Sequence, residues 1–249
     1  MVSFSLQDLD MAGVMWELAE NPTEYGAKKT PQQQTFADTS IHENNKPIII
    51  PPSAPITLDT VKSMVVRPND IDSLVRMIVE FNHPLRSGVT NVVMPNIAKN
   101  PNGLVIVTDM PSIDDDASGK ILSGSAGELV DKMLAAIEMS RNSVSMVPLV
   151  FWRTPGGRTP SREELDLARP FVDRILEMLK PRVIVTLGTL AAEEIGKINL
   201  TANHGNEIAC DFEYKIFPIY HPNYLILKPS AKKDVWVALQ NVQKMLKNP

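Results

Sequence analysis

The chain has 249 residues, 43% of them hydrophobic and 22% charged, with a formal net charge of -4. That length supports one large or two small domains with a sizeable core, and the acidic balance argues against a basic nucleic-acid coat protein while leaving room for a local basic groove. The single cysteine, Cys210, can form neither an internal disulfide nor a four-cysteine metal or cluster site.

No apolar stretch reaches the roughly 18 residues that a membrane span needs. The N-terminus lacks the basic-then-apolar pattern of a secretory leader. The expectation is a cytoplasmic protein with no membrane partner. Residues 5–20 place Leu6, Leu9, Met11, Val14, Met15 and Leu18 at the spacing of a short amphipathic helix. Residues 21–55 are rich in Pro, Gln, Thr, Asn and Lys with little periodicity, which reads as a linker. The domain division is therefore an N-terminal helix plus flexible linker over 1–65 and an α/β domain over 66–249.

From Asp70 the signals become regular. Asp70 caps a helix over 71–81, ended by His83-Pro84. Residues 104–107 form a continuous apolar run, the signature of a buried parallel strand. A loop over 108–127 follows, then a helix over 128–138 and a second strand over 144–150. Ser161 and Glu164 make a capping box for a helix to residue 179, which Pro170 should bend or split. A third strand over 183–187, a short helix over 189–195 and a fourth strand over 216–220 complete the alternation. Ser230 caps a final helix over 231–247, with Val235, Trp236, Leu239, Val242 and Leu246 as its buried side. This alternation predicts a three-layer α/β/α fold around a central, mostly parallel four-stranded sheet.

In such sheets the ligand site lies beyond the carboxyl ends of the strands. The loop after the first strand carries Asp114, Asp115 and Asp116, which suit either a metal or water site or a solvated acidic turn. Its glycines are not a dinucleotide or P-loop pattern. The loop after the second strand sets Arg153 and Arg158 around Pro-Gly-Gly, as phosphate contacts or as solvated charges. The last loop, HPNYLILKP, carries His221, either structural or catalytic. Its apolar tip either wedges between base steps or packs on the following helix.

These motifs occur in a consistent order from about residue 75 onward: LVIVTDMP, DDD, SGSAGELVDKMLAAI, WRTPGGRTPSREELDLARPFV, KPRVIVTLGTLAA, then HPNYL and KPSAKKDVWVAL. The series resembles the bacterial uracil-DNA glycosylases of the iron–sulfur branch, family four. The resemblance implies a base-excision DNA-repair hydrolase that flips uracil from single- or double-stranded DNA and hydrolyses its N-glycosidic bond. It implies His221 as the group that stabilises the departing base, Leu225 and Ile226 as the wedge, and Gly124 and Gly127 beside the pocket. Asp109 or Asp115 would place water, and Arg153, Arg158 and Lys228 would meet phosphates. The protein would act as a monomer.

The departures from the family pattern concern the pocket and the cofactor. The family's GEAPG is Thr108–Ser112 here. The phenylalanine that stacks on uracil is Leu122, and the asparagine that reads the base edge is Pro148, which has neither amide nor backbone N–H. The cluster cysteines fall near His83, at Trp152 and at Ala168, so the iron–sulfur cluster is expected to be absent and its site repacked as apolar core. Two functions of different class follow: an active glycosylase on uracil or another damaged base, or a catalytically degenerate paralogue that keeps the fold and DNA binding. An unrelated doubly wound small-molecule enzyme would need a phosphate-binding glycine loop, and none is found.

Overall fold

The computed structural model describes residues 56–209 and 214–247. The segment read as an amphipathic helix and linker over 5–55 lies outside them. Residues 58–65, assigned from sequence to the flexible linker, instead form helix α1 (Leu58–Val65). Thr57 caps it, and Val61 and Val65 are buried against the long helix α5 described below. Apolar residues four apart on one short helix were too few to register as a pattern.

Helix α2 (Ile71–Glu80) starts where Asp70 accepts the Ser73 N–H at 2.7 Å. Strand β1 (Leu104–Thr108) follows. The expected loop after β1 contains helix α3 (Ile113–Ser118), closed by a reciprocal box between Ser112 and Asp115. Helix α4 (Gly124–Ala136) begins earlier than its apolar periodicity indicated. Strand β2 (Ser145–Pro148) leads to helix α5 (Arg162–Leu179), which begins with the Ser161–Glu164 box and is not split at Pro170. Ala168, Pro170, Phe171 and Val172 are all buried, so packing holds the helix through the missing N–H. Strand β3 (Val183–Leu187), helices α6 (Thr189–Gly196) and α7 (Leu200–Asn203), strand β4 (Ile208–Ala209) and strand β5 (Lys215–Ile219) follow. The loop after β5 is a short helix, α8 (Pro222–Leu227), and α9 (Lys232–Lys247) closes the chain.

The strands lie in the order β2-β1-β3-β5-β4. The four longer ones are parallel, and two-residue β4 adds an antiparallel edge. This is the expected α/β/α architecture with one short strand more than the apolar runs announced. Val105, Val107, Val147, Ile184 and Ile216 face α1, α2, α5 and α6. Leu104, Ile106, Met146, Val185, Leu187, Phe217 and Ile219 face α4, α8 and α9. Because β1 pairs with β2 on one side and β3 on the other, connections leave in opposite directions there, which opens a crevice at the strands' carboxyl ends. On α9, Val235, Leu239 and Val242 are buried as expected, but Trp236 is 40% exposed. No helix among the described residues is long and apolar enough to cross a membrane.

Behind the crevice sits an aromatic cluster. His83 stacks on Trp152 with ring centroids 4.3 Å apart and planes 5° from parallel. Phe81 and Phe151 pack on Trp152, and Phe171 packs on both of them. His83 Nδ1 accepts the Leu85 N–H, so Nε2 carries the proton and donates to the Glu164 carbonyl at 3.0 Å. Burial holds the His83 pKa below its ordinary 6.5.

Removing the indole should open a large cavity: Trp152→Ala is expected to cost about 3–5 kcal/mol in urea denaturation. The unfolded chain protonates His83 below its ordinary pKa of 6.5 while the folded chain resists, so stability should decline as pH falls below that value. His83→Gln should flatten that decline.

Candidate active site

The crevice is built from four strand-end segments, each held by its own backbone chemistry. After β1, Asp109 turns toward β3 and accepts the Ala191 N–H at 2.6 Å, at the start of α6. Its partner surface is Gly188, at φ 103°, where an added Cβ would lie 2.2 Å from Asp109 Oδ2. Glycine is therefore required both for the backbone angle and for the close approach. Burial outweighs the helix N–H groups and raises the Asp109 pKa to about 6.

Asp115 and Asp116 are not a solvated turn. Asp115 is 5% exposed, and its two oxygens accept the N–H groups of Ser112 at 2.8 Å and Ser123 at 2.6 Å. Asp116 accepts the N–H groups of Thr90 and Asn91 at 2.9 and 3.1 Å. These two carboxylates hold loops in place. Asp114 lies against Gly124, whose φ is 61° and whose hypothetical Cβ would come within 2.0 Å of Asp114 Oδ2. Leu122 adopts φ 51° and is buried. Arg141 grips its loop, donating to the carbonyls of Ile121 at 2.8 Å and Leu122 at 2.6 Å. No pattern in the sequence marked Arg141 for this task.

Pro148 ends β2 beside Thr108 of β1. Arg158, expected to face phosphate, is instead paired through both guanidinium nitrogens with Glu164, at 2.5 and 2.8 Å. That pairing lowers the Glu164 pKa to about 2. Arg153 is half-buried on the same turn.

His221 caps α8. Its Nδ1 accepts the Asn223 N–H at 3.2 Å, so in the neutral ring the proton is on Nε2. Burial pushes the His221 pKa down to about 4, against the opposing pull of the Asp115 carboxylate. The same local motif occurs at His83, where Nδ1 also accepts an N–H two residues on. The difference is at Nε2: His83 spends it on the Glu164 carbonyl, whereas His221 Nε2 makes no hydrogen bond to the described residues. Behind α8, His204 stacks on Tyr220 at 3.9 Å and Tyr220 packs on Tyr224. Sequence gave His204 no role.

The apolar tip divides differently from the expectation. Leu225 is fully buried in the core formed with α9, so it is no wedge. Tyr224, Ile226 and Leu227 are outward, Leu227 at 84% exposure. A single helical turn sends the second of these four apolar residues inward and its neighbours out. Lys228, exposed at the end of α8, has its Nζ 5.9 Å from the Tyr224 ring centroid.

The structure thus brings Asp109, Leu122, Gly124, Pro148, His221 and Asp115 to the carboxyl end of one sheet, and leaves Leu225 and Arg158 to structural work. A parallel sheet with a half-buried histidine at the carboxyl end of its last long strand is the frame on which the chain's family can be read. Residues 95–243 match the family model described as the uracil DNA glycosylase superfamily, and the chain belongs to that superfamily. Its relatives there are type-4 members. It is 30% identical to the type-4 uracil-DNA glycosylase of Thermotoga maritima over 164 residues, which cover 65% of this chain and 84% of that one. It is 29% identical to the type-4 enzyme of Archaeoglobus fulgidus over 180 residues, 66% of this chain and 87% of that one. A DNA polymerase of Bacillus phage SP01 is 24% identical over 51% of this chain and 14% of its own length.

The type-4 resemblance implies an iron–sulfur cluster, and the residues at its position do not fit one. His83, Trp152 and Ala168 offer no thiolate, Trp152 and Ala168 are fully buried in the same apolar core, and the Trp152 ring is stacked on His83. No group of three or more His, Cys, Asp or Glu among the described residues is arranged to hold a metal ion.

Proposed function

We propose that this protein is a base-excision enzyme of the uracil-DNA glycosylase type that works without an iron–sulfur cluster. It binds single- or double-stranded DNA as a cytoplasmic monomer, takes a flipped uracil or related damaged base into the strand-end crevice, and hydrolyses its N-glycosidic bond. The observation that carries this reading is His221: a half-buried, neutral imidazole whose Nδ1 is occupied by the Asn223 N–H and whose Nε2 makes no hydrogen bond to a described residue.

In the reaction the C1′–N1 bond breaks and its electron pair leaves with the base. Negative charge then spreads to the base oxygens, and the Nε2–H of His221 donates to the oxygen where it gathers. A neutral donor suits this task, since it stabilises the anion without the cost of burying a full positive charge. Ionised Asp109 orients a water, takes its proton as the water oxygen bonds to C1′, and passes that proton on to solvent or to the departed base anion. Leu122 supplies apolar contact to the base in place of an aromatic ring. Outside the pocket, Leu227 and Ile226 enter the base stack, while Arg153 and Lys228 meet phosphates.

Pro148 favours a second reading, a paralogue that binds DNA without excision, because the base-reading amide is missing. A uracil-containing oligonucleotide, incubated with the protein and then treated with alkali, separates the two. Cleavage at the uracil is expected. Its absence at high protein concentration, with salt-sensitive DNA binding retained, would establish the paralogue. His221→Ala should lower excision by roughly 100- to 1,000-fold.

The pH dependence of excision tests Asp109. Its carboxyl, with a pKa raised to about 6, is the active base only when ionised, so excision should rise with pH through about 6 and then level. Asp109→Asn should be slower and lose that acidic limb; a limb of unchanged position would remove Asp109 from the reaction. The purified protein is expected to be colourless and to contain no iron, and stoichiometric iron would overturn the cluster-free reading.

A further inference from the structure

Across the carboxyl ends of the strands runs a row of residues in register: Pro148, Thr108, Leu187 and Ile219. The strands alternate, so the row's face can be read from its neighbours. Ile106, Met146, Val185 and Phe217, two residues earlier on each strand, share the core with Leu122 and Leu225. The row therefore lies on the face that Leu122 and α8 cover. Pro148, Leu187 and Ile219 are apolar. Thr108 is 3% exposed, and its Oγ1 has no hydrogen-bond partner among the described residues.

A buried hydroxyl without a partner is unusual and points to an occupant that completes it. The backbone nearby cannot serve, because the Leu149 N–H is already shared between the carbonyls of Thr108 and Asp109. Pro148 has no N–H to offer. Thr186 provides a contrast: its Oγ1 is also unpartnered, but it belongs to the opposite face, with Ile184 and Val107, inside the core. Thr108 is the last residue of β1, at the strand's carboxyl end. Two strand spacings, about 10 Å, separate it from the strand that leads two residues on to His221. That span accepts one planar base with a hydrogen bond of about 2.9 Å at either edge.

We propose that Thr108 is the specificity-determining residue of the pocket, its hydroxyl reading the polar edge of the flipped base in place of the amide that Pro148 lacks. The inference rests on the excision reading above. A hydroxyl has one donor and two acceptor sites and rotates about its Cβ–Oγ1 bond. It satisfies a carbonyl beside an N–H, as on uracil, but holds no fixed donor–acceptor order as an amide does. The substrate class it selects is pyrimidines with an oxo and N–H edge, read less strictly than by an amide.

The test uses the full chain and two short single-stranded oligonucleotides. One carries a single 2′-fluoro-deoxyuridine, whose glycosidic bond resists hydrolysis, and the other carries 2′-fluoro-deoxycytidine, whose edge has an amino group and an unprotonated ring nitrogen, at the same place. Affinity for each is measured for wild type, Thr108→Val, Thr108→Ser and Thr186→Val, alongside excision from an ordinary deoxyuridine oligonucleotide. Thr108→Val keeps the side chain's shape and should reduce both excision and the preference for the uracil oligonucleotide by about tenfold. Thr108→Ser should keep most of both, and Thr186→Val should match wild type. Wild-type preference in Thr108→Val, or an equal loss in Thr108→Ser, overturns the role of Thr108 while leaving excision standing. If wild type neither excises uracil nor distinguishes the two oligonucleotides, the excision reading falls and the assignment of Thr108 falls with it.

Discussion

The backbone N–H of Asn223, donated into Nδ1 of His221, decides which hydrogen-bonding face the crevice presents. With Nδ1 occupied, a neutral ring has its proton on Nε2 and can only donate there. Burial keeps the ring neutral even though a carboxylate, Asp115, stands near enough to favour the cation. That carboxylate is itself occupied by the N–H groups of Ser112 and Ser123, which tie the loop bearing Leu122 to the start of α3. The donor, its neutrality and the pocket wall are thus set by a few backbone hydrogen bonds at the ends of parallel strands.

His83 shows what the same arrangement does when closed. It too precedes a proline, too accepts an N–H on Nδ1, and too is held neutral by burial. Its Nε2–H is consumed by the Glu164 carbonyl, and its ring face by Trp152. The result is a staple between the segment after α2 and the first turn of α5. Glu164 binds the opposite way through its side chain, drawing in Arg158 and the Pro-Gly-Gly turn. Two of the residues where the type-4 resemblance expects cysteines, His83 and Trp152, therefore belong to an aromatic core that joins three segments by packing and hydrogen bonds.

Much of the architecture was legible in the sequence because buried parallel strands and capped helices leave strong local marks. The runs 104–107 and 183–187 became strands, and Asp70 and Ser161 became caps. Elements of one or two turns were not legible. Helices α1, α3 and α8 are too short for apolar periodicity to emerge, and β4 has only two residues. Within the site, His221 stood out because His-Pro followed a strand. Leu225 was misread as exposed since nothing in LILK says which leucine turns inward. Arg158 was misread as a phosphate contact since its partner, Glu164, was visible only as half of a capping box. Thr108 and Arg141 carried no signal, because their importance lies in what surrounds them in space.

The protonation state of His221 is the physical centre of the function proposed. It can be observed directly by long-range proton–nitrogen correlation NMR of the imidazole nitrogens across a pH titration, with His221→Gln providing the assignment. The expected result is a neutral ring protonated on Nε2, titrating near pH 4. A ring protonated on Nδ1, or one that titrates at or above the ordinary value of 6.5, would contradict it.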